Sequence, residues 1–280
     1  MADGSYRWQG NAPEPDAARI AGIDAAFDEA QVHAFAEPAR AAAIERIERA
    51  LAATRTGDLT EASAQLTHAR SVLDGLDPSA LEPRRGLAGL FDGRNARLKR
   101  FREAWSRAAA GLAETAADLS GRIDGAGRRS GALDGLWTEI RDAVVDLDAH
   151  LVVAARRLTG SAAEDAAPHP LEGRKAALDA CRAAALRTLP LIRGAQNADA
   201  RAVGALKACA DGVAAWRDDW KDALGLAGKR PKKVRPDRER MARVRDDLMT
   251  RIDGARAELT AALARRADIE GRMAALRRAL

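Results

Sequence analysis

Apolar residues recur at a seven-residue interval through the middle of the chain, and a second row of the same period runs beside the first. The first row is Leu98, Trp105, Leu112, Leu119, Ala126, Leu133, Ile140, Leu147 and Ala154. The interval indicates a long helix with a coiled-coil-like apolar face. Five glycines interrupt residues 121–135, each costing about 1 kcal/mol in a helix interior, so a hairpin is the alternative. A turn would reset the phase, which is unbroken, and the pattern therefore favours one helix over residues 95–158.

Two further segments repeat this pattern after loops rich in proline and glycine. The row Leu178, Ala185, Ile192, Asp199, Leu206, Val213 and Trp220 predicts a helix over residues 173–226, with Pro190 kinking it rather than ending it. A third helix is predicted over residues 237–280. Three long amphipathic helices joined by short loops predict an all-α fold, an elongated up-down-up three-helix antiparallel bundle resembling a coiled coil.

The region before these helices is less regular. We expect a disordered N-terminus at residues 1–15, N-terminal helices within residues 16–76 and a connector over residues 77–94. The helices should cover residues 16–36, 38–54 and 58–76, with Pro38 and the N-cap residue Asp58 marking two of the boundaries. They can pack either on the bundle of residues 95–280 or on each other.

A polar cluster interrupts the apolar row of the second long helix. Antiparallel pairing places Asp199 beside Ser130 and Gly131 and within one turn of Arg266, a charge in the apolar rows of the third helix. We expect Gln196, Asp199 and Arg266 to form a buried polar layer that fixes the register of the bundle, with small residues allowing close backbone approach. The alternative is an internal anion site built on Arg266.

Basic residues concentrate in two stretches that the bundle topology brings to one end. Residues 84–102 carry a net charge of +6 and residues 229–245 carry +7, in a chain whose net charge is +5. We call this end the basic pole and expect it to bind an anion or a partner. Its predicted binding residues are Arg94, Arg97, Lys99, Arg100, Lys229, Arg230, Lys232, Lys233 and Arg235.

The basic pole can be read in two ways. It is either a solvated tip that keeps the protein soluble or a docking site for a polyanion. An acidic protein or an anionic membrane surface is favoured as the partner. Nucleic acid is less favoured, because no aromatic residues interleave residues 229–245 for base stacking.

The sequence contains few candidate catalytic, cofactor-binding or metal-binding residues. Aromatic residues make up 4% of the chain, the four histidines are scattered, and no phosphate-binding loop, nucleophile motif or metal-ligand spacing is present. We therefore expect no catalytic residues, no cofactor and no metal. No segment is apolar enough to span a membrane or resembles a signal peptide, which predicts a soluble cytoplasmic protein, with peripheral attachment to the inner face of the membrane as a possibility.

The stretch "PLIRGAQNADARAVGALKACADGVAAWRDDWKDALGL" resembles the toxic anion resistance (tellurite resistance, TelA-like) family. The similar positions are Pro190, Ile192, Arg193, Gln196, Asn197, Trp216, Arg217, Ala223, Leu224, Gly225 and Leu226. The stretches "RRGLAGLFDGR" and "LDAHLVVAARRL" agree, so the resemblance covers about residues 57–280. Ala214, Asp218 and Asp219 depart from the family pattern. The resemblance implies a non-enzymatic helical protein of the stress response to tellurite-like anions, with no catalytic residues to carry over.

These observations favour a helical binding or scaffold protein, with a second copy of the chain as an alternative partner. The alternative from another class is a thiol-based enzyme that reduces oxyanions. Cys181 and Cys209 lie 28 residues apart, about 42 Å along a continuous helix, which is too far for an intramolecular disulfide.

Overall fold

The computed structural model describes residues 13–55, 58–82, 93–160, 169–228 and 234–280, and these contain helices, turns and no β-strand. The fold of this described part is all-α, as predicted. The described residues form six α-helices. They are α1 (Ala17–Ala25), α2 (Glu37–Thr54), α3 (Asp58–Asp74), α4 (Arg94–Gly160), α5 (Pro170–Ala223) and α6 (Arg238–Arg278). Two short 3-10 helices cover Glu29–Ala34 and Pro78–Leu81.

The three long helices follow the seven-residue pattern closely. Helix α4 continues through the glycine-rich stretch, and α5 continues through Pro190. The expectation that small residues allow close backbone approach near residue 131 is wrong, because a Cβ atom built on Gly121, Gly127, Gly131 or Gly135 meets nothing within 4 Å. Tight contact occurs instead at Gly212 of α5, where a Cβ would lie 2.8 Å from Cδ of Arg251.

The prediction of a helix over residues 16–36 is wrong in part. Residues 16–36 do not form a single helix, since α1 ends at Ala25 and a 3-10 helix begins at Glu29. The Asp28 carboxylate accepts a hydrogen bond from the Ala30 amide at 2.9 Å and so starts the new segment. Most of the predicted disordered N-terminus and most of the predicted connector lie outside the described residues.

Contacts divide the chain into two compact units. Unit 1 consists of Met1–Thr56, Arg129–Asn197 and Arg265–Leu280, and unit 2 consists of Gly57–Arg128 and Ala198–Ala264. Each unit therefore combines part of the N-terminal region with segments of α4, α5 and α6. This answers the question left open by the sequence, because the N-terminal helices pack on the long helices.

Unit 1 contains α1 and α2 beside the C-terminal half of α4, the N-terminal half of α5 and the end of α6. Arg182 pairs with Asp148 and Arg193 pairs with Asp134, so α5 and α4 run antiparallel here. Arg55, just after α2, pairs with Glu270 of α6 at 3.1 Å. The buried apolar side chains of unit 1 form three clusters, the largest of which joins α2, α4, α5 and α6.

Unit 2 contains α3 beside the N-terminal half of α4, the C-terminal half of α5 and most of α6. Arg122 of α4 pairs with Glu61 of α3 at 2.9 Å, and Arg70 of α3 pairs with Asp253 of α6 at 3.2 Å. One continuous core holds this unit together. The core includes aromatic rings near the end of α5, where Trp216 and Trp220 are fully buried and have ring centroids 5.2 Å apart.

Candidate anion-binding groove

The C-terminus of α5 supplies the first element of the predicted basic pole. Gly225 has a φ of 69°, which favours glycine, and the Leu226 amide donates to the Lys221 carbonyl at 2.8 Å. This turn leaves the Leu224 carbonyl oxygen to accept from Arg102 of α4, at 2.9 Å from Nε and 2.5 Å from Nη2. Arg102 thereby joins the first turns of α4 to the end of α5.

The N-terminus of α4 carries charges of the unfavourable sign. Its first turn contains Arg94 and Arg97 and no acidic residue, although the amide dipoles of a helix make its N-terminus positive. Each cation near such an end costs roughly 0.3–1 kcal/mol when it is exposed.

The start of α6 meets the start of α4. Arg94 donates from Nη2 to the Val234 carbonyl at 3.1 Å, and the Arg238 side chain pairs with Glu82. Asp237 caps α6 by accepting from the Arg240 amide at 3.0 Å. Two basic stretches far apart in sequence are thus neighbours in unit 2.

An open groove with a volume of about 550 Å³ lies where these segments meet. The residues that line it are Leu81, Arg94, Arg97, Arg235, Pro236, Asp237, Arg238 and Glu239. We call it the arginine groove. A smaller cavity of about 240 Å³ shares Arg97 with it and is also lined by Arg100, Asp77 and Phe101.

The structure brings together some of the residues predicted for the basic pole. Arg94, Arg97 and Arg235 line the arginine groove, Arg100 lines the adjoining cavity and Lys99 is exposed. Arg238 also lines the groove, although the sequence reasoning did not select it as a binding residue. Its position in the second basic stretch was the available signal. Lys229, Arg230, Lys232 and Lys233 lie outside the described residues.

The predicted polar layer contains a network that the sequence did not predict. Gln196 is buried, donates to the Ser130 carbonyl at 2.9 Å and accepts from Arg193 at 2.8 Å. Arg193 also pairs with Asp134 and lies over the Trp137 ring at 4.7 Å. Hydrogen bonds from Gln196 and then Arg193 lower the pKa of Asp134.

Asp199 and Arg266 are both buried, each with 3% exposure. Arg266 donates from Nη1 to the Thr54 carbonyl at 2.7 Å, which satisfies a backbone oxygen at the C-terminus of α2. Asp199 belongs to unit 2 and Arg266 to unit 1, and their predicted salt bridge stays a prediction.

Both thiols lie among buried apolar side chains, and the Cys181 thiol also donates to the Arg40 carbonyl oxygen at 3.8 Å. Cys181 and Cys209 are free and buried, and burial raises the pKa of each thiol to about 11. The thiolate is the nucleophilic form of cysteine, and it is scarce at neutral pH when the pKa is this high. No group of three or more histidine, cysteine or acidic side chains suited to a metal occurs within the described residues.

No protein-family model, curated protein or solved structure matches the chain. The resemblance to toxic anion resistance proteins therefore rests on the sequence motifs and stays a prediction. Among the described residues, no helix combines the length and apolar character needed to cross a membrane.

Proposed function

We propose that this protein is a non-enzymatic helical binding or scaffold protein that docks through its basic pole onto an anionic membrane surface or an acidic partner. The observation that carries the proposal is the arginine groove, in which Arg94, Arg97, Arg235 and Arg238 line one open surface. Guanidinium groups remain charged at all physiological pH values and present paired donors to carboxylates and phosphates.

The expected strength of docking follows from the number of cations. Each basic residue near an anionic membrane contributes about 1 kcal/mol, and the attraction falls within a Debye length of roughly 10 Å at 0.1 M salt. The groove arginines, of which Arg238 is paired with Glu82, and the exposed Lys99 can therefore support weak, reversible and salt-sensitive binding. Such binding suits a peripheral protein rather than an inserted one.

The architecture proposed with this function is an elongated up-down-up bundle of α4, α5 and α6. Support comes from the antiparallel pairing within each unit, such as Arg182 with Asp148 in unit 1 and Arg240 with Asp219 in unit 2. We further propose a cytoplasmic location at the inner face of the membrane and a role in resistance to tellurite-like anions, the latter on the sequence resemblance alone.

Sedimentation with lipid vesicles tests the docking proposal. The full chain should bind vesicles containing phosphatidylserine at roughly 20 mM salt and lose this binding near 500 mM salt. The variant Arg94→Glu/Arg97→Glu/Arg235→Glu should bind at least about 100-fold more weakly, since three contributions of about 1 kcal/mol are removed.

A matched variant separates groove binding from a general charge effect. Arg201→Glu/Lys207→Glu/Arg256→Glu changes the net charge equally at residues of unit 2 that do not line the groove. This control should retain most of the binding, and both variants should keep the wild-type helix content by circular dichroism. Equal loss in both variants would refute a groove-specific site. Binding to polyglutamate but not to vesicles would identify an acidic partner, and indifference to vesicles, polyglutamate and nucleic acid would favour the solvated-tip alternative.

A further inference from the structure

We infer that a cavity in unit 1 binds a primary ammonium group that carries a short apolar chain. The cavity has a volume of about 280 Å³, close to the lower end of the range for small-molecule sites, and shares no lining residue with the arginine groove. It lies between the end of α1, the first 3-10 helix, the start of α2 and α4. The apolar side chains of Ile23, Ala34 and Phe35 line it together with the polar side chains of Asp28, Gln31 and His150.

Asp28 gives the cavity a negative charge. Its Oδ1 accepts a hydrogen bond from the Ala30 amide at 2.9 Å, and it makes no ion pair with any described residue. The side chain is exposed, so its second carboxylate oxygen is accessible to a ligand. The neighbouring Glu29 is also exposed and adds a second negative charge at the start of the 3-10 helix.

The arginines that contact these segments are already paired with acids. The pairs are Arg19 with Asp146, Arg157 with Asp24 and Arg174 with Glu37, at 2.6, 2.8 and 2.5 Å. None of these three arginines lines the cavity. The negative charge of Asp28 therefore stays available to a ligand, and it favours a cation over an anion.

His150 offers a second hydrogen-bond acceptor to the same cavity. Its Nδ1 lies 2.8 Å from the Asp146 carbonyl oxygen, and a carbonyl only accepts, so we assign the ring proton to Nδ1. The neutral ring then carries a lone pair at Nε2, on the side of the ring away from that carbonyl. Nε2 makes no hydrogen bond within the part of the chain that the structure describes. A primary ammonium has both the charge for Asp28 and spare N–H donors for His150, whereas a quaternary ammonium has only the charge.

Phe35 forms an apolar wall that is held in place without a ligand. Its ring centroid lies 5.3 Å from that of Phe27 and 5.6 Å from that of His150, and its carbonyl accepts from Nε of Arg174 at 2.8 Å. The next residue, Ala36, has a φ of 56°, a left-handed conformation that is unfavourable for alanine and is retained where the surrounding structure holds it. A preformed wall lowers the cost of ordering the site and favours a ligand with an apolar chain over the bare ammonium ion.

Titration of the full chain, followed by NMR, tests the inference with small probes. At about pH 8, where an alkylammonium stays charged, n-butylammonium should bind about 10-fold more tightly than butanol, which lacks the charge. It should also bind about 10-fold more tightly than butyltrimethylammonium, which lacks the N–H donors. The Cε1–H signal of His150 should shift as butylammonium binds. Equal binding of butylammonium and either other probe, no binding, or an unshifted His150 signal would overturn the assignment.

A charge-removing variant and its control locate the cation. Asp28→Asn keeps a side-chain oxygen that can cap the 3-10 helix and should weaken butylammonium binding about 10-fold while leaving butanol binding unchanged. Glu45→Gln removes the same charge from an exposed residue of α2 that does not line the cavity, and it should leave both affinities unchanged. Equal loss in the two variants would show diffuse attraction and refute the site.

A ring variant tests the acceptor separately from the charge. His150→Phe keeps an aromatic ring beside Phe35 and removes Nε2, and its spectrum also identifies the His150 signal. This variant should lose the preference for butylammonium over butyltrimethylammonium and still bind butanol as the wild type does. A retained preference would refute the assignment of an N–H donor to the ligand. Wild-type circular dichroism in each variant keeps the result independent of folding.

Discussion

Unit 1 and unit 2 draw on the same three long helices, yet their interiors differ in polarity. Unit 1 buries Thr54, Asp148, Thr188, Gln196 and Arg266, whereas Asp199 is the one polar or charged side chain classed as buried among the described residues of unit 2. The apolar core of unit 2 is continuous and contains stacked and tilted aromatic rings, while that of unit 1 is divided into three clusters.

The difference in interior polarity indicates different roles for the two units. Buried polar groups are expensive unless they are paired, and in return they restrict the arrangements that helices can adopt. Unit 1 thus has the means to fix helix register through specific pairs such as Asp148 with Arg182. Unit 2 has an apolar interior that supports a highly charged surface, where the arginine groove lies.

Truncation of a tryptophan in the aromatic core should give the largest effect. Trp220 is fully buried, its ring centroid lies 5.8 Å from that of Phe101, and its Nε1 donates to the Met241 carbonyl at 3.1 Å. Trp220→Ala should lower the free energy of unfolding by about 3–5 kcal/mol, from the lost packing and the lost hydrogen bond of its Nε1. Trp137→Ala, at a half-buried site of unit 1, should cost less than about 2 kcal/mol. Urea unfolding measures both, and equal losses would contradict the contrast between the units.

Breaking the buried ion pair of unit 1 should give the second-largest loss of unfolding free energy. Asp148 has no exposure, so Arg182→Met removes the ion-pair partner of a fully buried carboxylate and should cost about 3–5 kcal/mol near pH 7. Burial already raises the pKa of Asp148, and loss of Arg182 removes the opposing effect. The loss should therefore shrink as the pH falls and the carboxyl becomes protonated.

The double variant Asp148→Leu/Arg182→Met provides the check on this pair. It should recover most of the stability lost by Arg182→Met, because an apolar pair replaces the ion pair. A double variant as unstable as the single one would show that this region of unit 1 does not contain a simple pair.

The two thiols place one alkaline-sensitive group in each unit. Burial raises the pKa of Cys181 and of Cys209 from 9.0 to about 11, so the folded state retains protons that the unfolded state loses. The stabilisation is present below about pH 9 and is lost as the pH rises towards 11, by about 2–3 kcal/mol per thiol.

Single cysteine variants measure how much each unit contributes to this alkaline loss of stability. Cys181→Ala and Cys209→Ala should each remove about half of the alkaline loss measured by urea unfolding between pH 8 and about 10.5. The native thiols should also react slowly with a disulfide reagent near pH 8. Rapid reaction, together with thiol-dependent reduction of tellurite by the purified protein, would favour the reductase alternative over the scaffold.

Glycine replacements in α4 should give the smallest effect, with a stabilising sign. Space is open at Gly127 in unit 2 and at Gly131 in unit 1, so alanine there should add about 0.5–1 kcal/mol by lowering the entropy of the unfolded chain. Gly212→Ala should destabilise, because its Cβ would lie 2.8 Å from Cδ of Arg251 and 3.2 Å from Cδ1 of the buried Leu248. A loss of stability at Gly131 in thermal unfolding would indicate a packing role that the fold does not explain.

The seven-residue pattern predicts the long helices well, because a period sustained over many turns averages out single exceptions such as Pro190. It does not predict the partners of α2 and α3. These helices are short, with 18 and 17 residues, and their patterns fit several long-helix faces equally well. Their placement in different units depends on contacts that are distant in sequence.

The candidate site was predicted in part from charge. The two basic stretches and the topology indicated that Arg94, Arg97 and Arg235 would lie together, whereas the acids and Arg238 in the groove depend on the turn that begins α6. The Gln196 contact with Arg193 has a spacing of three residues and was within reach of the sequence. The Arg266 contact with the Thr54 carbonyl could not be predicted from the sequence, since side-chain patterns do not reveal which backbone oxygens at helix ends lack a helical partner.

Hydrogen–deuterium exchange of the full chain, with and without phosphatidylserine vesicles, tests the central claim that unit 2 carries the anion-binding surface. Added vesicles should slow exchange in peptides covering the start of α4 and the residues from Val234 to Arg240, and should leave the peptides of α2 and of residues 129–160 unchanged. Roughly 500 mM salt should abolish the protection. Protection centred on unit 1, or none in either unit while the protein is bound to vesicles, would contradict the account.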